Sequence, residues 1–445
     1  MKKYLLAIPL LAIVLGGCKS EKTTITILGE SATSIQSMIA LEHEYESKNP
    51  NIDLVFKPNS FDDAFNKANQ DFANGTGLYD IVMQYNFSLS SFVTNKYVYP
   101  IDDLIKDFPS ESKSFENDLF PGAWKEVGYF KNIDNPNGSP VKVGYPFTSN
   151  TMLIAYNKEL FDDAKQRAGY KLKYKEDLQT PTTWEQFYNV AEFFTQPENK
   201  IKGICLQGAN GSWLYYEWMN FLFGMGGKVM DKQYGWEGDA NTKILLNTPE
   251  ALKAAKFYYS LKPFNSGNFT NVDAYEQIKI LKEGKVAMAI IWSDLAYNLV
   301  SKENNSFDGR FGFAPIPGDK SMLAGGSYFI NRKSKNAEAA AKYILDLMQK
   351  DNQVKLAKTG LCSALKTVYD DPEIQKIPYS TALKISLARG TYMLEAGIDA
   401  TMISDKITAY LQKMWNNEIT PEQALAKMQA EIESERKSIY ANLNR

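Results

Sequence analysis

Three short motifs in this 445-residue chain have the residue types of acyl-transfer chemistry. Ser110-Glu111-Ser112-Lys113, Ser293-Asp294 and Lys358-Thr359-Gly360 follow the order of the three motifs of serine β-lactamases and penicillin-binding enzymes. Their settings do not suit that chemistry. Lys358-Thr359-Gly360 closes a helical pattern instead of lying on a strand, Ser293-Asp294 lacks the following Asn, and Ser110 comes after Pro109 in a charged, turn-like stretch. His43-Glu44 opens an HExxH whose last position is Ser47, so a zinc site of that type loses its second ligand. His43 is the sole histidine, which removes most metal-site designs and every Ser-His or Cys-His pair that does not use it; it reads as a helix-surface residue. Gly224-Met225-Gly226-Gly227-Lys228 has no strand-loop-helix context to cradle a phosphate. Paired carboxylates remain available, but no spacing singles out a pair.

The residue types left over are those of binding. Aromatics reach 13%, with 26 Tyr and 7 Trp, and these side chains stack on apolar ligand faces as well as filling cores. Fifty Lys and Arg against 52 Asp and Glu give a net charge of −2 and a pI near 5.8, with no basic surplus for a phosphate backbone, so no nucleic-acid partner is expected. A hydrophobic share of 44% with 23% charged residues excludes wholesale disorder and a polytopic membrane protein. The length allows two or three domains.

The elements that must position such residues begin as β-α-β-α-β. Thr24–Leu28 reads as a strand, Ile35, Met38, Ile39 and Tyr45 as a helix stopped at Asn49-Pro50, and Ile52, Leu54 and Phe56 as a second strand. Ser60 can cap a helix that stops at Gly75, with Asp62 and Asp63 in its first turn; Tyr79 to Met83 is a third strand, followed by a helix over Ser88 to Thr94. This order demands a largely parallel sheet flanked by helices, which binds ligands at the carboxyl ends of its strands. Glu30, Ser31, Asn59, Ser60, Gln84, Tyr85 and Asn86 stand there.

Further along, Thr183 and Gln186 form a capping box for a helix from Trp184, and a strand over Lys202 to Leu206 precedes an aromatic-dense segment. In that segment Tyr215, Trp218 and Leu222 share one helical face and read as packing. Helices over Pro249 to Leu261 and Val272 to Lys282 precede strands at Val286 to Ile291, Phe311 to Ala314 and Ser327 to Ile330. A helix capped by Asn336 follows, and a long final helix opens with the capping box Thr420-Pro421-Glu422-Gln423. Cys205 and Cys362 give no spacing signal; a bridge is open to them in an oxidising compartment, and buried free thiols are the reading preferred.

At the start, Met1-Lys2-Lys3 and an apolar run over Tyr4 to Leu15 read as a secretory signal too short to span a bilayer. The run ends in Leu15-Gly16-Gly17-Cys18, which resembles a bacterial lipobox. Residues 1–17 are thus expected to be a signal peptide, Cys18 the lipidated first mature residue, and 18–23 a tether to a membrane surface.

Taken in order, TITILGES, LYDIVMQYN with VTNKYVYPIDDLI, YPFTSNTMLIAYNKELF with PTTWEQF, LKEGKVAMAIIW, GFAPIPG with GGSYFINRKSKNAEAAAKYILDLM, and ITPEQALAKM resemble the family-1 extracellular solute-binding proteins of ABC importers, the group that includes the maltose-binding protein. The resemblance implies an α/β, two-lobed periplasmic-binding-protein-like fold with a hinge. One lobe would comprise 19–150 and 295–345, the other 151–294 and 346–445. It also implies a monomer outside the cytoplasm, with no catalysis, cofactor or metal, that captures a carbohydrate, expected to be an oligosaccharide, in the cleft and delivers it to permease subunits. By motif position the cleft residues fall on Glu30, Ser31, Gln84, Tyr85, Asn86, Asn150, Trp213, Tyr215, Trp292, Asp294 and Gly326, with Arg389 and Tyr392 as weaker candidates. One departure matters. Trp292 stands four positions after Met288, about where the family often has Gly, and Asp294 takes the usual Trp position, so the stacking platform is Trp292 in a shifted pose or another aromatic. Two alternatives stay open: a secreted carbohydrate-active or β-lactam-acylated enzyme, and the same fold holding a peptide, polyamine or other cation between Glu30 and Asp294.

Overall fold

The computed structural model describes residues 22–135, 137–196, 200–209, 212–302, 306–318, 320–392 and 396–443. The expected signal, lipobox and Cys18 lie outside them.

The strands are β1 (Thr23–Glu30), β2 (Ile52–Asn59), β3 (Ile81–Tyr85), β4 (Tyr129–Phe130), β5 (Val141–Lys142), β6 (Tyr145–Asn157), β7 (Lys202–Cys205), β8 (Val286–Trp292), β9 (Phe311–Pro315), β10 (Ser321–Ile330) and β11 (Gly390–Tyr392). The helices of the first stretch are α1 (Thr33–Lys48), α2 (Phe61–Asn74), α3 (Leu89–Thr94), α4 (Ile101–Ile105) and α5 (Pro121–Gly128). The middle holds α6 (Lys158–Asp162), α7 (Ala164–Tyr174), α8 (Trp184–Phe194), α9 (Trp213–Gly224), α10 (Pro249–Ser260), α11 (Ala274–Lys282) and α12 (Ser293–Val300). The last stretch holds α13 (Ala337–Leu347), α14 (Lys350–Lys358), α15 (Pro372–Gln375), α16 (Ser380–Ala388), α17 (Ala400–Trp415) and α18 (Pro421–Leu443).

Local chemistry sets many of these limits. Ser60 Oγ accepts from the Asp63 N–H at 3.2 Å and Gly75 ends α2 at φ 62°, a left-handed stop that glycine adopts without strain. Thr183 Oγ1 accepts from the Gln186 N–H, while the Gln186 carbonyl turns back to the Thr182 N–H, one residue earlier than the expected box. At α18 the box is reciprocal between Thr420 and Gln423. Asn336 stands before α13, but its amide donates to the Thr24 carbonyl, so it ties α13 to β1 instead of capping the helix.

Nine strands form one sheet in the order β2-β1-β3-β10-β6-β8-β7, with β11 beside β10 and β9 beside β6. The outer pairs β1–β2, β1–β3 and β7–β8 are parallel; the two long strands β6 and β10 run antiparallel to each other and to their neighbours β8 and β3. β6 changes partners midway. Tyr145 to Thr151 pair with β10, and Met152 to Asn157 pair with β8 and β9. This crossing, at Thr151 and Met152, joins the two lobes.

Two segments sit differently from the expected division. β9, within 295–345, pairs with the second-lobe half of β6. Residues 350–367, expected in the second lobe, lie against the first: α14 packs on α1, Phe120 donates its N–H to the Ala364 carbonyl, and Thr367 bonds Asp118. The apolar period of α14 marks a buried face but not which lobe covers it.

Opposite the sheet's other flank, α5 carries Glu126, fully buried, whose carboxylate accepts the N–H groups of Gly235 at 2.8 Å and Ala396 at 3.1 Å. The Trp236 indole donates to the Lys125 carbonyl at 2.8 Å beside it. Those partners come from loops of the second lobe, one of them held by α18, whose buried Arg436 bonds the Asp239 and Thr242 carbonyls and pairs with buried Asp399. Tyr215, Trp218 and Leu222 are buried as the helical stripe required, and Phe221 and Phe223 off that stripe are buried with them. Cys205 and Cys362 are buried and unbridged, and His43 is exposed.

Candidate ligand-binding site

β1 ends at Glu30, and α1 begins three residues later, so Glu30 and Ser31 stand where parallel strand meets helix N-terminus. At the end of the neighbouring β3, the Tyr85 hydroxyl donates to Glu30 Oε2 at 2.6 Å. From the second lobe, β8 runs into α12, which places Asp294 in the helix's first turn. Asn150, just before the crossing point on β6, donates its amide to Asp294 Oδ2 at 3.0 Å and accepts from Thr148 Oγ1 at 3.1 Å. The two clusters face one cavity of about 300 Å³. Its lining includes Glu30, Ser31, Gln36, Tyr275, Asp294 and Asn298, with Thr33, Tyr297 and Thr359 beside them, and among the described residues it contains no lysine or arginine.

Burial pushes the carboxyls of both Glu30 and Asp294 up from their ordinary values. The Tyr85 hydroxyl pulls Glu30 back and the charge of Asp294 raises it further; Asn150 and the amides of Asp294 and Leu295 pull Asp294 back. The Tyr275 phenol, 57% exposed, is pushed up to about 12 by burial and by the two carboxylates, so it stays a neutral hydrogen-bonding ring on the rim. Phe61, 42% exposed, lies with Phe87 and Tyr85 in an aromatic cluster at the first-lobe edge.

Of the residues expected at the site, Glu30, Ser31, Tyr85, Asn150 and Asp294 thus converge. Trp292 is nearly buried, meeting Tyr216 edge-on at 5.3 Å, and its indole N–H has no partner among the described residues; Tyr216 in turn meets half-exposed Trp213. Tyr215 is buried in the core. Gln84 is buried within β3 opposite Ser327. Asn86 opens the turn after β3, is buried, and its side-chain amide N–H has no partner among the described residues. Gly326 pairs with Tyr85, and a Cβ there would come 2.5 Å from the Gln84 carbonyl and 2.6 Å from the Phe147 ring, so close strand packing accounts for the glycine. Arg389 donates to the Ile316 carbonyl at 2.5 Å, the Gly318 carbonyl at 3.0 Å and Ser321 Oγ at 3.3 Å, which fastens the β9–β10 connection. Tyr392 closes β11.

The sequence reading missed Tyr275, Gln36, Asn298 and Thr359. Tyr275 is the second residue of α11, right after the Asp273 cap, and an exposed aromatic in a first helical turn is the signal that marks it. Among the described residues no group of three or more His, Cys, Asp or Glu could hold a metal, and no helix is long and apolar enough to cross a membrane.

Two α/β lobes joined through crossing strands, with polar side chains from both converging on a cleft, define the class of periplasmic binding proteins. Residues 28–353 match the family described as bacterial extracellular solute-binding protein, and the chain belongs to that family. It is similar to a probable amino-acid ABC transporter periplasmic-binding protein of Sinorhizobium fredii, 22% identical over 92% of this chain and 88% of that one. In fold it is similar to an ABC transporter solute-binding protein from Agrobacterium radiobacter in complex with ribitol, at a TM-score of 0.74 and 23% identity over 93% of this chain and 98% of that one. Maltose-bound MalE3 of T. maritima superposes at 0.72 with 21% identity over 92% of this chain and 98% of that one. The family and these neighbours are substrate-binding proteins of ABC transporters and not enzymes.

Proposed function

We propose that this protein captures a hydroxyl-rich small molecule, a polyol or short saccharide, between its lobes and presents it to an ABC permease. The observation that carries the reading is that Glu30, bonded by Tyr85, and Asp294, bonded by Asn150 on the crossing strand, line one cavity of about 300 Å³. Carboxylates and amides accept and donate to hydroxyl groups, and an aromatic on the rim such as Tyr275 covers the C–H face of a sugar. The volume is at the lower end for ligand pockets, which favours one or two rings over a long oligosaccharide. Solved relatives in fold hold ribitol and maltose.

A free amino acid, the ligand class in the name of the Sinorhizobium relative, fits less well. Its carboxylate would have to sit beside two acids, and among the described residues the lining has no lysine or arginine to pair with it. Isothermal titration against ribitol, maltose, glucose and a set of amino acids tests the reading. Heat from at least one polyol or sugar supports it; heat from amino acids alone overturns it.

We further propose that Cys18 is acylated and holds the protein, as a monomer, at the outer face of a membrane. Metabolic labelling with an alkyne fatty acid should mark the wild-type chain and leave Cys18→Ser unmarked.

A further inference from the structure

Two carboxylates, one after β1 and one in the first turn of α12, share this cavity. Glu30 receives a phenol hydroxyl and Asp294 an amide, both neutral donors, and among the described residues no lysine or arginine lines the space. Both carboxyls line the one cavity, and the charge of Asp294 adds to the upward push of burial on Glu30. Lobe closure removes water from the cavity, and in a drier cavity the repulsion of two like charges grows. A neutral sugar offers hydroxyl donors but no compensating charge. A protonated amine placed between the two groups supplies both, and the half-exposed Tyr275 ring on the rim can face such a cation.

Resting on the saccharide or polyol reading above, we infer that the preferred ligand carries a protonated amine on its hydroxylated frame, as an amino sugar or amino polyol does, with the ammonium held between Glu30 and Asp294. The hydroxyls then fall to Asn298, Gln36, Ser31 and Tyr275, which line the same cavity.

The test is titration calorimetry of the soluble chain, residues 22–445, with matched pairs at neutral pH: D-glucose and D-glucosamine, D-glucitol and 1-amino-1-deoxy-D-glucitol. N-acetyl-D-glucosamine serves as the uncharged control. The amine member of at least one pair is expected to bind ten times or more tighter than its neutral partner, with affinity falling as salt rises and the advantage absent in the N-acetyl sugar. Glu30→Gln and Asp294→Asn, which keep shape, are expected to erase that advantage while their thermal melts stay cooperative. Equal or tighter binding of the neutral members overturns this inference and leaves the saccharide reading standing. Silence from both members of every pair, together with silence from ribitol and maltose, overturns both.

Discussion

The Asn150 amide reaches Asp294 Oδ2 at 3.0 Å across 144 positions of chain, and this bond joins the strand that crosses between the lobes to the first turn of α12. Asn150 is held from its other side by Thr148, so the donor is aimed before any ligand arrives. Pre-aimed polar groups avoid the ordering cost that a flexible site meets on binding.

Asn150→Ala should therefore weaken capture without direct loss of a lining residue. Removing a hydrogen bond to a charged group costs roughly 1.5–3 kcal/mol, about a tenfold or greater rise in Kd. Calorimetry with any ligand found in the sugar panel measures it, and an unchanged Kd would reject the role given to Asn150.

Tyr275 and Trp218 separate binding from packing. Tyr275 is 57% exposed, so Tyr275→Ala should shift the melting temperature little while costing about 1 kcal/mol of affinity. Trp218 is fully buried, and Trp218→Ala should cost about 3–5 kcal/mol of stability. Chemical denaturation of both variants is the check; a Tyr275 variant as damaged as the Trp218 one would move that tyrosine into the core.

The raised carboxyls carry a pH signature. Glu30 and Asp294 lie above their ordinary 4.5 and 3.8 in the folded chain, so the folded state holds their protons to higher pH than the unfolded state does. Their contribution is complete below the ordinary values and is lost as pH rises through the folded ones. Melting temperature of the ligand-free protein minus that of the Glu30→Gln, Asp294→Asn double variant should fall as pH climbs from about 4 toward neutrality. A difference that rises over this range contradicts the assignment.

Glu126 tests the interlobe fastening. Glu126→Ala strips two backbone N–H groups, of Gly235 and Ala396, of an acceptor in a buried place. Each unsatisfied group costs about 1–3 kcal/mol, so a loss of roughly 2–6 kcal/mol is expected in urea unfolding. A loss below 1 kcal/mol would mean water replaces the carboxylate freely.

Burial raises both thiols well above their ordinary range, Cys362 despite its contact with Ser293 Oγ. A chain of residues 22–445 should release no thiol to Ellman's reagent when native and two equivalents in guanidinium chloride. Fewer than two after denaturation would indicate a bridge.

Residues 23–94 are the most legible part of the fold, because each boundary there is set locally: Ser60 caps, Gly75 stops, and Ile52, Leu54 and Phe56 alternate. Strand β10 was read only over its last four residues, since Ser321 to Gly326 is small and glycine-rich yet wholly buried by its neighbours on both sides. Which lobe claims β9 or α14 depends on partners more than a hundred residues away, and periodicity carries no such address. In the site, Glu30 and Tyr85 are legible because they stand at strand ends, and Asp294 through the position of its motif in the resemblance. Gly326 and Arg389 came by the same route of motif position but serve the backbone around them, and Tyr275 stands in the first turn of a helix, where no strand end points to it.

The insertion of β10 between β3 and β6 has a consequence for biogenesis. The sheet built by residues 23–157 lacks its middle plank until residue 330 has emerged, and α13 and α14, which cover that half, come later still. An N-terminal fragment thus has no central strand to pair β3 with β6, and the sheet closes only when the chain has been made past β10. Truncations ending before residue 330 should accordingly yield protease-sensitive chains, not an independent half.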